Sequence, residues 1–159
     1  MSNRTNHTYQ AFLYQFIKDI LVVCPNCEGK ALVKTGEMVF PRCDTKEVRV
    51  VCLKCGYNKQ LEQATGKGIY LVSGVPIDPF FQLPVWLQGD FGDHLLWAYN
   101  MEHLQFVEQH VGADLRERNG QETYNSSLGS RLPKWMTAKK NREAVLKVIE
   151  KLKVKWENP

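Results

Sequence analysis

Apolar residues recur at three- and four-residue spacing near the start of the chain. Tyr9, Phe12, Phe16 and Ile20 would line one side of a helix, which predicts a helix over residues 8–21 with Thr5, Asn6 or Thr8 as its cap. Leu21-Val22-Val23 is β-prone and runs straight into Cys24. Residues 31–40 and 47–53 read as strands separated by a turn containing Pro41 and Asp44. A second β-prone run, Ile69-Tyr70-Leu71-Val72, lies between Gly66-Lys67-Gly68 and Ser73-Gly74, and a boundary near residue 66 is expected. Residues 75–88 hold Pro76, Pro79 and Pro84 among large apolar side chains, so this piece is expected to be extended and irregular.

The second half is more regular. Leu95-Leu96-Trp97-Ala98-Tyr99 resembles a buried strand, and Asn100 is placed to cap a helix over residues 101–118. Leu104, Val107, Val111 and Leu115 supply its buried stripe, and Asn119-Gly120 supplies its stop. Residues 121–129 read as a polar loop, Leu132-Pro133-Lys134-Trp135-Met136 as a short element, and residues 141–156 as a final helix with the stripe Val145, Ile149, Leu152 and Trp156.

Four of the five cysteines form two pairs, Cys24-Pro25-Asn26-Cys27 and Cys52-Leu53-Lys54-Cys55-Gly56, with 24 residues between them. That interval fits a β-hairpin that brings two tight turns together, each offering two thiolates to one metal. Four soft sulfurs suit a structural zinc ion at roughly 2.3 Å, and the filled shell leaves no position for a substrate. The alternatives are reduced structural cysteines or a redox pair, but a redox motif normally opens a helix and does not come twice. Gly29 and Gly56 follow the second cysteines where the backbone must turn. Cys43 is expected to be a bystander thiol and not a fifth ligand.

These residues resemble the zinc-ribbon superfamily, with its CPxC and CxxCG knuckles joined by strands, over residues 20–66. In that superfamily the ribbon often contacts nucleic acid or docks on another protein. The rest of the chain, from Asp78-Pro79-Phe80-Phe81 through residues 94–100 to Leu132–Met136 and Asn141-Arg142, is similar to a family of small, uncharacterised bacterial zinc-ribbon proteins. That second resemblance implies no catalytic residue.

The expected fold class is α+β, a zinc ribbon of short antiparallel strands packed with helices and a small further β segment. The organisation expected is residues 1–66 as N-terminal helix plus ribbon, 67–130 as β segment plus central helix, and 131–159 as a basic C-terminal helix packed on the same unit. At 159 residues, 43% hydrophobic and 24% charged, the chain has the make-up of a globular protein that buries a sizeable core. Met1 to His7 is polar and lacks a signal-peptide core, and no stretch approaches the roughly 18 apolar residues of a membrane span, so the cytoplasm is the expected location and a membrane is not an expected partner.

Charge changes the picture at the C-terminus. The formal net charge is +4, but residues 131–159 alone carry nine Lys and Arg against three Glu. Lys147, Lys151 and Lys155 form one side of the last helix, with Lys139, Lys140 and Arg142 just upstream, and such a face can track phosphates. Arg49, Lys54 and Lys134 add cations, and Trp135 and Tyr57 can stack on unpaired bases. The plain alternative is a solvated lysine face. DNA or RNA is therefore one expected partner class. A protein is the other, docked through the ribbon and the aromatic segment Phe80, Phe81 and Trp86.

For catalysis the candidate groups are Asp90, Asp93, His94 and His103, but their spacing matches no defensible motif, and neither a phosphate loop nor a nucleophile motif is present. His103 and His110 share one helix face.

Overall fold

The computed structural model describes residues 4–5, 11–35, 38–39, 42–43, 48–62, 75–113, 115–116 and 127–158. The chain is α+β. In order, the strands of the first half are β1 (Arg4–Thr5), β2 (Ile20–Val23), β3 (Lys30–Lys34), β4 (Met38–Val39), β5 (Arg42–Cys43), β6 (Arg49–Val51) and β7 (Asn58–Gln60). The hairpin β8 (Leu87–Phe91) and β9 (His94–Ala98) leads into α1 (Met101–Gly112) and β10 (Leu115–Arg116). Two one-turn helices follow, α2 (Leu128–Arg131) and α3 (Lys134–Thr137), and then α4 (Arg142–Glu157).

The central unit is an antiparallel sheet in the order β2-β3-β6-β7. Because side chains alternate across a strand, the register divides its residues cleanly between two faces. Ile20 pairs with Val33, Val22 with Ala31, and Val33 with Val50, and all are buried in one core cluster with Ile17, Val48, Val85 and Tyr99. Leu21 and Leu32, paired on the opposite face, belong to a second cluster with Leu87, Leu96, Leu104, Val107, Val145, Ile149 and Leu152. The ribbon sheet thus sits between two cores, each fully buried Val or Leu contributing about 2 kcal/mol by its removal from water. The outer edge of β2 is also covered: Val23 N–H donates to Pro84 (2.9 Å), Trp86 N–H to Leu21 (2.9 Å), and Leu21 N–H to Tyr99 (2.8 Å).

The helix expected over residues 8–21 does not form in the described residues. Leu13–Phe16 is a single 3₁₀ turn and Ile20–Val23 is a strand. The same apolar residues are satisfied differently: Leu13, Tyr14 and Phe16 pack on the first core, while Ile20 pairs across to Val33. Asp19, at φ 50°, makes the break between turn and strand. β-branched Ile20, Val22 and Val23 gain more from a sheet buried on both sides than from a helix with one buried stripe.

The strands of the ribbon are shorter than expected. Residues 30–34 and 49–51 form the sheet, and β4 pairs with β5 as a separate hairpin, Val39 opposite Arg42. Pro41 and Asp44, the run 69–72 and the boundary near 66 lie outside the described residues.

Asn100 caps α1 as expected, its side chain accepting from His103 N–H at 2.9 Å. Its Nδ2 also donates to Phe16 (2.9 Å) and Lys18 (2.7 Å), fastening the N-terminal turn to the helix. The helix ends at Gly112 and not near Arg118, and Leu115 stands in β10, parallel to β1 with Arg4 opposite Leu115. Gly112 is a poor helix former, Ala113 is extended, and its carbonyl accepts Arg142 Nη2 at 3.0 Å. Asn119-Gly120 lies outside the described residues.

Part of the expected polar loop is helical: Ser127 caps α2, and Leu128 and Gly129 are buried. Helix α4 keeps its stripe at Val145, Ile149 and Leu152, but Trp156 is 39% exposed. α4 lies against β8 so closely that a Cβ at Gly89 would stand 3.0 Å from Val148.

Candidate metal centre

Both cysteine pairs sit in the turns of hairpins, β2-β3 and β6-β7, that belong to one antiparallel sheet, so the two turns emerge at the same end. Their backbones are built alike. Cys24 N–H donates to Gly29 (2.8 Å) and Glu28 N–H returns to Cys24 (2.9 Å); Cys52 N–H donates to Tyr57 (2.8 Å) and Gly56 N–H returns to Cys52 (3.0 Å). The residue that closes each turn has positive φ, 57° at Glu28 and 76° at Gly56. Gly56 plays the part expected of it. Gly29 does so in part: the left-handed residue is Glu28, while Gly29 turns its amide to the Cys27 sulfur and supplies room, since a Cβ there would lie 3.0 Å from Lys54 Cδ and 3.3 Å from Cys27 Sγ.

The four sulfurs converge. Cys24 and Cys55 are 3.7 Å apart across the two turns, Cys27 and Cys52 3.6 Å, and all four lie within 4.8 Å of one another. These separations are far beyond a disulfide bond, and all four thiols are free. They match instead the edge of a tetrahedron with metal–sulfur bonds of about 2.3 Å, which is about 3.8 Å. The four cysteines can therefore hold one metal ion. Cys24 and Cys52 are buried and Cys55 is exposed, so the site is anchored in the core and open at one corner.

Electrostatics set the four thiols apart. The Asn26 side chain, then the Tyr57 amide, lower the Cys55 thiol to about 6. At Cys27 the Gly29 amide favours the thiolate, but desolvation and the three neighbouring sulfurs outweigh it and push the thiol up to about 12. Four sulfurs this close do not all ionise unless a cation gathers them. Asn26 N–H also points at Cys24 Sγ, at 3.4 Å. Asn26 lies inside the first knuckle and Tyr57 just after the second, and those positions are the sequence signal for their roles at the sulfurs.

The other expected site residues are dispersed. Lys134, Lys139, Lys140, Lys147, Lys151, Arg49 and Lys54 are exposed. Lys155 is turned inward: its ammonium donates to the Trp86 carbonyl at 2.8 Å and sits 4.3 Å from the Trp86 ring, where burial lowers its pKa. Arg142 is held by Ala113, and Trp135 stacks on His94 at 4.8 Å and on Phe91 at 5.2 Å. Phe80 is buried and Phe81 packs on the first core. Cys43 stands in β5, opposite Met38, and its side chain lies outside the described residues.

The candidate catalytic groups do not assemble. Asp90, Asp93 and His94 are exposed around the β8-β9 turn, whereas His103 is buried in α1, stacked on Phe16 at 5.1 Å and accepting Tyr99 N–H at 3.1 Å. Desolvation lowers His103 to about 4, so it is a neutral core imidazole. His110 is buried on the same face. Among the described residues, Cys24, Cys27, Cys52 and Cys55 are the group of potential metal ligands that comes together.

Fold and site together define an α+β protein organised around a four-cysteine centre consistent with a zinc ribbon. Compared with protein-family models, with curated proteins and with solved structures, the chain finds no match, and the likeness to small bacterial zinc-ribbon proteins gains no support there. No described helix is long and apolar enough to cross a membrane.

Proposed function

We propose that this chain is a zinc-stabilised, non-catalytic protein that binds nucleic acid, alone or as an accessory factor in a larger assembly. The observation that carries the non-catalytic part is the donor set. Four sulfurs within 4.8 Å fill a tetrahedral shell, which favours zinc as a fastener of two turns over zinc as a Lewis acid with an open position. The exposed cations Lys134, Lys139, Lys140, Lys147, Lys151, Arg49 and Lys54 support a polyanionic partner.

Titration of labelled oligonucleotides at two salt concentrations tests this reading. Binding that weakens steeply with salt is expected, because each phosphate neutralised releases counterion. Absence of binding at low salt would overturn it.

One observation favours the second reading, an adaptor that docks on a protein. Leu53, in the second knuckle, is 95% exposed, an apolar side chain held out on a rigid turn. Recovery of one stoichiometric protein partner, lost in Leu53→Ser, would favour the adaptor over the nucleic-acid reading.

A further inference from the structure

The face of the ribbon sheet that carries Leu21 and Leu32 is covered over only part of its width. The rows across it run from core to solvent. Leu21, Leu32, Val51 and Asn58 form one row, buried at the β2 end and exposed at the β7 end. Lys34, Arg49 and Gln60 form the next, and all three are exposed. Lys30 lies on the same face, paired with Val23. None of the four strands contains an acidic residue; the acids at their ends are Asp19, exposed just before β2, and Glu28, exposed two residues before Lys30.

An aromatic side chain stands at the margin of this face. Trp156, in the last turn of α4, is 39% exposed, and the Lys30 ammonium lies 5.8 Å from its ring and donates to its carbonyl at 3.1 Å. A partly exposed indole beside Lys30, on a sheet face whose other end presents Lys34 and Arg49, has the chemistry that holds an unpaired strand: phosphates on the cations, a base on the ring. Along α4 the exposed Lys147 and Lys151 alternate with exposed Glu143 and Glu150, and Lys155 is turned in to Trp86.

Resting on the nucleic-acid reading above, we infer that the open half of this sheet face, Lys34 and Arg49 with Lys30 and Trp156 at its margin, is a single-strand-binding surface. It assigns the nucleic-acid contact to the ribbon itself and not to the basic C-terminal helix.

The test uses the full, metal-loaded chain and a labelled single strand of about 12 nucleotides, within the roughly 4–16 nucleotides that one such platform spans, against the duplex of the same sequence. The single strand should bind more tightly. The double substitution Lys34→Gln/Arg49→Gln should weaken it about tenfold and flatten the salt dependence by about 1.4, at about 0.7 for each phosphate released. Both residues are exposed, so an unchanged thermal transition confirms that the fold is kept. Trp156→Ala should cost about fivefold or more and Trp156→Phe should restore most of that, since stacking needs a flat ring and not an indole N–H. Lys147→Gln/Lys151→Gln should leave binding within about twofold, because neither lysine belongs to the strands that carry Lys34 and Arg49. If instead the wild type binds while the helix pair loses affinity and the sheet pair does not, this assignment is overturned and the broader reading stands. Equal or tighter binding of the duplex also overturns it, and no binding by the wild type removes both.

Discussion

Glu28 and Gly56 occupy the same position in the two knuckles, four residues after the first cysteine of each, and both adopt positive φ, 57° and 76°. Each donates its amide to the carbonyl of that cysteine. Only one is the residue this conformation favours. A non-glycine in the left-handed region costs roughly 1–2 kcal/mol, so one turn is relaxed and the other strained. Glu28→Gly should raise the stability of the metal-loaded protein by about 1 kcal/mol, a rise of about 3 °C for a chain of this size, and Gly56→Ala should lower it by a similar amount. Thermal unfolding of the three proteins measures both; equal melting temperatures would remove the equivalence of the knuckles.

Metal removal should reach beyond the sulfurs. The turns that hold them are continuous with β2, β3, β6 and β7, whose residues lie in both cores. Purified protein should contain one zinc per chain, and a chelator should abolish the cooperative transition as well as strip the metal, because metal binding and folding are coupled in such sites. Any single Cys→Ser change among Cys24, Cys27, Cys52 and Cys55 should do the same. A chelated chain that melts as before would show that the sheet stands without the ion.

Acidification should expose the buried imidazole of His103. Its folded pKa is lowered to about 4 from 6.5, so the folded state prefers the neutral ring. Below about 6.5 the unfolded chain takes up a proton that the folded one refuses. Stability is therefore complete above that value and falls as pH drops toward about 4, by up to about 3 kcal/mol from this group. Proton release from the cysteines on metal binding adds a second loss over acid pH. The ring resonances of His103 in the folded protein separate the two: they should stay those of neutral imidazole down to about pH 4.5, whereas titration near 6.5 would show that the ring is solvated.

Gly89 should tolerate no side chain of size. A Cβ there meets Val148 Cγ1 at 3.0 Å and Leu152 at 3.4 Å, both on the buried side of α4. Gly89→Val should cost about 2 kcal/mol or more by lifting α4 from the β8-β9 hairpin, while Gly92→Ala, in the exposed turn with nothing within 4 Å, loses stability through its positive φ alone. Comparison of the two melting transitions checks the difference between crowding and backbone strain.

Asp78 should prove structural. It is fully buried, and its carboxylate accepts from the amides of Phe80 (2.9 Å), Phe81 (2.8 Å) and Leu83 (2.7 Å). Asp78→Ala leaves three donors without a partner and should destabilise by about 2 kcal/mol or more, with Asp78→Asn retaining part of the loss; denaturant midpoints measure it.

What the amino-acid sequence determined by itself was local chemistry. Two CxxC pairs at that interval specify two tight turns and four sulfurs, Asn100 specifies a helix start, and Val145, Ile149 and Leu152 specify a buried stripe, because each depends on residues a few positions apart. The tertiary structure decided which partner each apolar residue took. Ile20 fits a helical stripe and a strand equally well by spacing, and the strand won because Val33 stands opposite it and cores lie on both sides of the sheet. Likewise Leu115 continued the pattern of α1, but β1 pairing ended the helix at Gly112. Trp86 drew Lys155 out of the basic stripe, and Lys54 and Cys27 close in on Gly29, where a Cβ would stand 3.0 and 3.3 Å from them. Periodicity records that a residue needs burial; only the assembled chain settles against what, because burial is a long-range property and spacing a local one.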